Sequence, residues 1–129
     1  TWFPDHRADF QDAIMSCQAL HPELQSPVPG SSFAASTVNV GPRVDCLSHR
    51  DSSNVASGIC LDYIDGDYDA STGGHLVFHE AMRVVRVRRG GLVIFPSAVV
   101  THETIPVKPH ETRFSITGYL AGAVQRYLD

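Results

Sequence analysis

The sequence predicts a mainly-β fold, a sandwich or barrel-like roll, preceded by one N-terminal helix. Three observations carry this expectation. From Phe33 onward, short runs of Val, Ile, Leu, Phe and Tyr are broken by Gly, Pro and Asp clusters about every ten residues, as strands joined by turns require. Eight such runs crowd into residues 33–121, too densely for alternating strand and helix units. Helical spacing is confined to the first stretch of the chain, where Phe10, Ala13, Ile14 and Cys17 recur on one side. At 129 residues, 43% hydrophobic and 19% charged, residues 1–129 suit a single domain with a modest core.

The elements follow in order. A helix is expected over residues 1–21, with Asp5 or Asp9 favouring its first turn and His21-Pro22 stopping it. Residues 22–32 hold Pro22, Pro27, Pro29 and Gly30 and read as an exposed connector. The β core, 33–121, is expected to place strands near 33–40, 44–49, 55–64, 75–79, 83–88, 91–96, 99–105 and 112–121. In the last of these, Phe114, Ile116 and Leu120 share one face, and Arg113, Ser115, Thr117 and Tyr119 share the other. The helix is available to cover the apolar face, so the polar face points into the mouth of the roll.

Composition narrows the function. Ten Lys+Arg against fourteen Asp+Glu give a net charge of −4, so a polyanion must be met by a local patch. No apolar run approaches the roughly 18 to 20 residues that cross a bilayer, no charged-then-apolar leader opens the chain as given, and the expectation is a soluble protein. Cys17, Cys46 and Cys60 are too scattered for a disulfide framework and point to a reducing, intracellular compartment. The chain contains no Gly-x-Ser-x-Gly elbow, Walker loop or dinucleotide-binding glycine pattern, and hydrolase and nucleotide-binding readings have no motif behind them.

The sharpest local signal is His49-Arg50-Asp51. Residues i and i+2 of an extended chain point to one side, so the His49 imidazole and the Asp51 carboxylate can converge while Arg50 points away. The pair needs a distant third ligand, and His102 is the candidate. Two His and one carboxylate on one face of an iron leave positions for a co-substrate and O₂. Eleven residues after His102 comes Arg113, whose fork can hold a carboxylate bidentately, and Ser115 on the same strand face can bond the same group.

In this order, His49-x-Asp51, His102 and Arg113-x-Ser115 resemble the double-stranded β-helix (jelly roll) of Fe(II)/2-oxoglutarate-dependent oxygenases, over about residues 33–121. The phrases His-Arg-Asp-Ser-Ser-Asn at 49–54, Gly73-Gly74-His75-Leu76, Phe95-Pro96-Ser97-Ala98 and Thr117-Gly118-Tyr119-Leu120-Ala121-Gly122 resemble fungal TET/JBP-like proteins of that superfamily. The resemblance implies His49, Asp51 and His102 as iron ligands, and Arg113 with Ser115 as partners of the distal carboxylate of 2-oxoglutarate. Asn39 and Asn54 are further candidate donors to the co-substrate or its surroundings. It also implies Fe(II), 2-oxoglutarate and O₂ as cofactor and co-substrates, hydroxylation of a C–H bond, and a methylated nucleobase in DNA as substrate. A DNA substrate would place the protein in the nucleus. The rival substrate is a small molecule or a protein side chain.

Other readings stay open beside this one: two histidines without metal, a structural zinc on Cys46-x-x-His49, and a non-catalytic binding module on the same roll. A cupin expects a closely spaced His pair followed by Glu, where this chain has Asp51. The acidic run Asp62 to Gly74 fails as a helix-loop-helix calcium loop, because a start at Asp67 puts Phe78 where Glu is required. It is expected to be a solvated hairpin loop contributing to the substrate rim. His75 and His79, about 13 Å apart along a strand at roughly 3.3 Å per residue, are too distant for one ion. The run Arg83, Arg86, Arg88 and Arg89 is either a solvated strand edge or a phosphate-contact patch, with Arg86 and Arg88 on one face and Arg83 and Arg89 on the other.

Overall fold

The computed structural model describes residues 3–26 and 28–129. Thr1, Trp2 and Pro27, which fall in the expected helix and connector, lie outside the described residues. Helix α1 spans Pro4–Leu20. Pro4 occupies the first turn, where its missing N–H costs no hydrogen bond, and Asp5 faces the positive end of the helix dipole. The helix ends where the His21 N–H bonds the Cys17 carbonyl, immediately before Pro22.

Seven strands follow: β1 Ala35–Asn39, β2 Cys60–Asp65, β3 Leu76–Phe78, β4 Arg83–Val85, β5 Gly91–Phe95, β6 His102–Thr104 and β7 Phe114–Tyr119, then helix α2, Gly122–Leu128. They form two antiparallel sheets, ordered β1-β7-β2-β5 and β4-β3-β6, in the jelly-roll form of the double-stranded β-helix. Among the described residues, no helix is long and apolar enough to cross a membrane.

Three expectations need correction. Residues 44–49 are not a strand: the strip is held by isolated bridges, Arg43 to Arg113 and His49 to His102, and by single bonds such as that from the Thr104 N–H to the Cys46 carbonyl. The expected strand at 55–64 begins at Cys60, because Val55 to Gly58 is a turn closed by a Gly58 N–H bond to Val55. A second helix, α2, follows the β core. Seven residues beginning with glycine carry no readable period, and α2 is held by Val124 and Leu128 packing in the cluster of Phe10, Ala13 and Leu120.

Two apolar clusters position the interior. Ile64, Tyr68, Leu76, Phe78, Val87 and Val107 form the inner core between the sheets. The other cluster lies where α1 and α2 cover the outside of the roll, and Leu120, the residue just after β7, belongs to it. Two residues earlier, on the same face, Gly118 lies under the Phe33 ring, and a Cβ there would come within 2.9 Å of it. The polar residues of β7 are thereby turned inward, as expected. Leu76 and Phe95 belong both to the inner core packing and to the wall of a cavity of about 520 Å³.

Candidate metal centre

His49 and His102 are brought together by backbone pairing. Each N–H bonds the other's carbonyl, at 3.0 and 2.9 Å, and this single antiparallel bridge sets the two rings 4.4 Å apart. Both rings are oriented alike: His49 Nδ1 lies 2.8 Å from the Leu47 carbonyl and His102 Nδ1 lies 2.9 Å from the Val100 carbonyl. A carbonyl only accepts, so both Nδ1 atoms carry the proton and each Nε2 lone pair is available to a metal. Asp51 is fixed by its N–H bond to the Ser97 carbonyl, at 3.0 Å. Donor atoms of His49, Asp51 and His102 all lie within 4.8 Å of one another, the one such convergence of three ligand residues among the described residues. His49 Nε2 and Asp51 Oδ1 are 3.3 Å apart, near the roughly 3 Å between neighbouring donors on an ion bonded at about 2.1 Å.

The three donors line the cavity, and Arg113, Ser115 and Asn39 line it with them. Arg113 is only 2% exposed. Its Nη1 donates to the Val44 carbonyl at 2.9 Å, while its Nε is buried with no partner. Asn39 Nδ2 donates to Ser115 Oγ at 3.1 Å, which leaves the Ser115 hydroxyl proton to an acceptor in the cavity, and Asp62 lies within its reach. A buried guanidinium with an unmet N–H beside a hydroxyl fits the carboxylate of a co-substrate. The nitrogen, nitrogen and carboxylate donor set fits Fe(II).

The family model of the 2OG-Fe(II) oxygenase superfamily matches residues 35–121, from the first residue of β1 to just before α2. The chain belongs to the 2OG-Fe(II) oxygenase superfamily. No curated protein matches the chain. The superfamily works with Fe(II), 2-oxoglutarate and O₂, and the His-Asp-His group is the metal-binding arrangement present in this oxygenase fold.

Other candidate residues of this superfamily member divide between the cavity and the surface. Asn54 lines the cavity, with its Nδ2 3.5 Å from Ser97 Oγ. Cys46 and Cys60 also line it, and burial raises both thiols, Cys60 to about 12. Cys46 is not among the converging donors, which removes the basis for a zinc site with His49. His75 and His79 flank β3 rather than lying on it, and His79 faces Glu103 at 3.4 Å. Arg83, Arg86, Arg88 and Arg89 are all exposed, and only Arg83 lies in β4, so the expected two-faced strand does not form. Arg89 pairs with Asp67 at 3.1 Å.

The acidic run divides. Asp62 sits on β2 between Cys60 and Ile64, inside the cavity, and it was missed because it reads as part of the loop. The loop itself turns away from the mouth. Gly66, at φ +140°, lies so close to Thr112 that a Cβ would fall 2.3 Å from its carbonyl oxygen, and Glu111 accepts the Asp69 N–H. None of residues 66–74 lines the cavity, which corrects the expected place of this loop at the rim.

Sequence reading also missed Glu80. It accepts bonds from the Thr101 N–H and hydroxyl, each at 2.7 Å, and from Arg50. Thr101 precedes His102, and Arg50 stands between His49 and Asp51, so one carboxylate ties together both ligand-bearing segments. These bonds, the Thr101 hydroxyl foremost, hold the Glu80 carboxyl down at about 2, and the clamp stays ionised until pH falls toward that value. Glu80 is expected to position the candidate ligands rather than to touch the metal. Glu80→Gln, which keeps one acceptor oxygen and loses the charge, is expected to weaken metal binding about tenfold, the lower end for outer partners of ligands. Calorimetric titration with Co(II), together with the visible ligand-field spectrum, checks this; unchanged affinity and spectrum would exclude the role.

Proposed function

We propose that this chain is an Fe(II)/2-oxoglutarate-dependent dioxygenase, converting a substrate C–H bond, 2-oxoglutarate and O₂ into C–OH, succinate and CO₂. The observation that carries the reading is that His49, Asp51 and His102 converge on the cavity that also contains the buried, incompletely bonded Arg113. Fe(II) bound at the three ligands supplies the chemistry that activates O₂. The chain's own residues orient and select. The Leu47 and Val100 carbonyls fix the imidazole tautomers, Glu80 holds the ligand segments in register, and Arg113 with Ser115 takes the distal carboxylate. Asn39 aims the Ser115 hydroxyl.

For the substrate, we propose a methylated nucleobase in DNA, 5-methylcytosine first. The TET/JBP-like phrases and the four exposed arginines at 83, 86, 88 and 89 support this, and nuclear localisation follows from it. None of the four lines the cavity, so their part is to grip phosphates flanking a base flipped into it. The net charge of −4 favours a second reading, a hydroxylase of a small molecule or protein side chain. Succinate release with Fe(II) and O₂, driven by a methylated oligonucleotide, is the expected result. It should fall steeply with salt and weaken in Arg86→Ala. Salt-independent turnover on a free small molecule establishes the second reading, and no succinate with any substrate leaves a non-catalytic binding module.

A further inference from the structure

Asp62 is a buried carboxylate that neither the metal site nor the proposed carboxylate clamp uses. Burial alternates along β2, which turns Cys60, Asp62 and Ile64 inward. In the ladder, Asp62 stands opposite Thr117 of β7, one pleat from the Ser115 and Ile64 pair. It lines the same cavity as Arg113 and is 8% exposed. Asp62 Oδ1 and Arg113 Nε are both buried without a hydrogen-bond partner, and Arg113 Nη1 is directed to the Val44 carbonyl. Two unmet buried atoms of opposite character on one cavity require something that satisfies both. The distal carboxylate of 2-oxoglutarate provides the acceptor for Arg113. It provides no donor for Asp62, and two neighbouring carboxylates repel unless one carries a proton.

We propose that Asp62 is a co-substrate-binding residue that acts as the neutral acid, donating its O–H to the distal carboxylate held by Arg113, so that each 2-oxoglutarate bound takes up one proton. This rests on the reading of Arg113 as the partner of that carboxylate. The groups around Asp62 are Arg113 just before β7, Ser115 on β7, Asp51 two residues after His49, Cys46 from the strip beside β6, and Tyr68 from the loop after β2. Burial raises the Asp62 carboxyl most, Arg113 and then Ser115 pull it back, and Asp51 adds to the rise; the result is about 6. A second carboxylate brought alongside raises it further. A divalent ion at the three ligands is present before and after the co-substrate enters, so its charge is common to both states. Above pH 6 the free site is mostly ionised and the filled site is protonated. Affinity therefore falls as pH rises, approaching tenfold per unit for one linked proton.

Calorimetric titration of 2-oxoglutarate into the Mn(II)-loaded protein without O₂, in buffers of different ionisation enthalpy, counts the protons directly. The expected result at pH 7.5 is an uptake close to one, with Kd rising toward tenfold per unit between pH 7 and 8.5. Asp62→Asn keeps the donor without the titration. It should bind with no proton uptake, a flat pH profile and a lower Kd than wild type at pH 8.5. Zero uptake with pH-independent Kd in the wild type overturns the proposal, as does an Asp62→Asn variant that keeps the wild-type slope. The wild-type count decides even if the variant does not fold. Failure of the underlying reading looks different: 2-oxoglutarate then binds Arg113→Ala as tightly as wild type, whatever the proton count.

Discussion

Asp51→Ala and His49→Ala are each expected to abolish tight Fe(II) binding and, with it, conversion of 2-oxoglutarate to succinate. The reason is geometric. Two of three donors cannot hold an ion tightly, because the remaining lining offers hydroxyls, amides, protonated thiols and the Asp62 carboxylate, which is not among the converging donors. The loss should exceed the about 10- to 100-fold cost of removing an outer partner of a ligand. The fold is expected to survive, because the His49 and Asp51 side chains are 39% and 32% exposed and leave no hole in the core. Metal titration and succinate release, read beside an unchanged melting temperature, check the result. Wild-type turnover in either variant would overturn the site.

Arg113→Ala separates co-substrate from metal. Arg113 is not among the converging donors, so Fe(II) affinity should change little, while the 2-oxoglutarate requirement rises by about 30-fold or more. That figure corresponds to the roughly 2 kcal/mol or more lost when one partner of a buried, hydrogen-bonded charge pair is removed. The side chain is 2% exposed and bonds Val44, so Ala also lowers the melting temperature. Arg113→Lys serves as the companion: it retains the charge, loses the fork, and should fall between wild type and Ala in co-substrate affinity. Equal 2-oxoglutarate affinity in all three proteins would remove Arg113 from the pocket's function.

The convergence of the candidate ligands was legible in part. His49 and Asp51 could be paired from the chain alone, since positions i and i+2 share a side of an extended segment. Spacing could nominate His102, but the reciprocal backbone bonds that set its ring against His49 join residues fifty-three apart. The inward polar face of β7 was also legible from alternation, and the buried Arg113 and Ser115 bear it out. Asn39 was a bare candidate until the β1 and β7 register set it opposite Ser115.

Asp62 and Glu80 show where local reading ends. Asp62 looks like the start of an acidic loop, yet the pleat of β2 carries it into the cavity while the following aspartates stay outside the cavity lining. Glu80 carries no motif and acts on two segments distant in sequence. The sequence by itself determined the strand-rich class, the leading helix and the ligand types at their spacing, because alternation and turn chemistry act over a few residues. The tertiary structure alone decided which carboxylates face the pocket, which strip forms a bridge rather than a strand, and that a second helix seals the outer face. Those outcomes depend on burial and register, which are set by partners far along the chain.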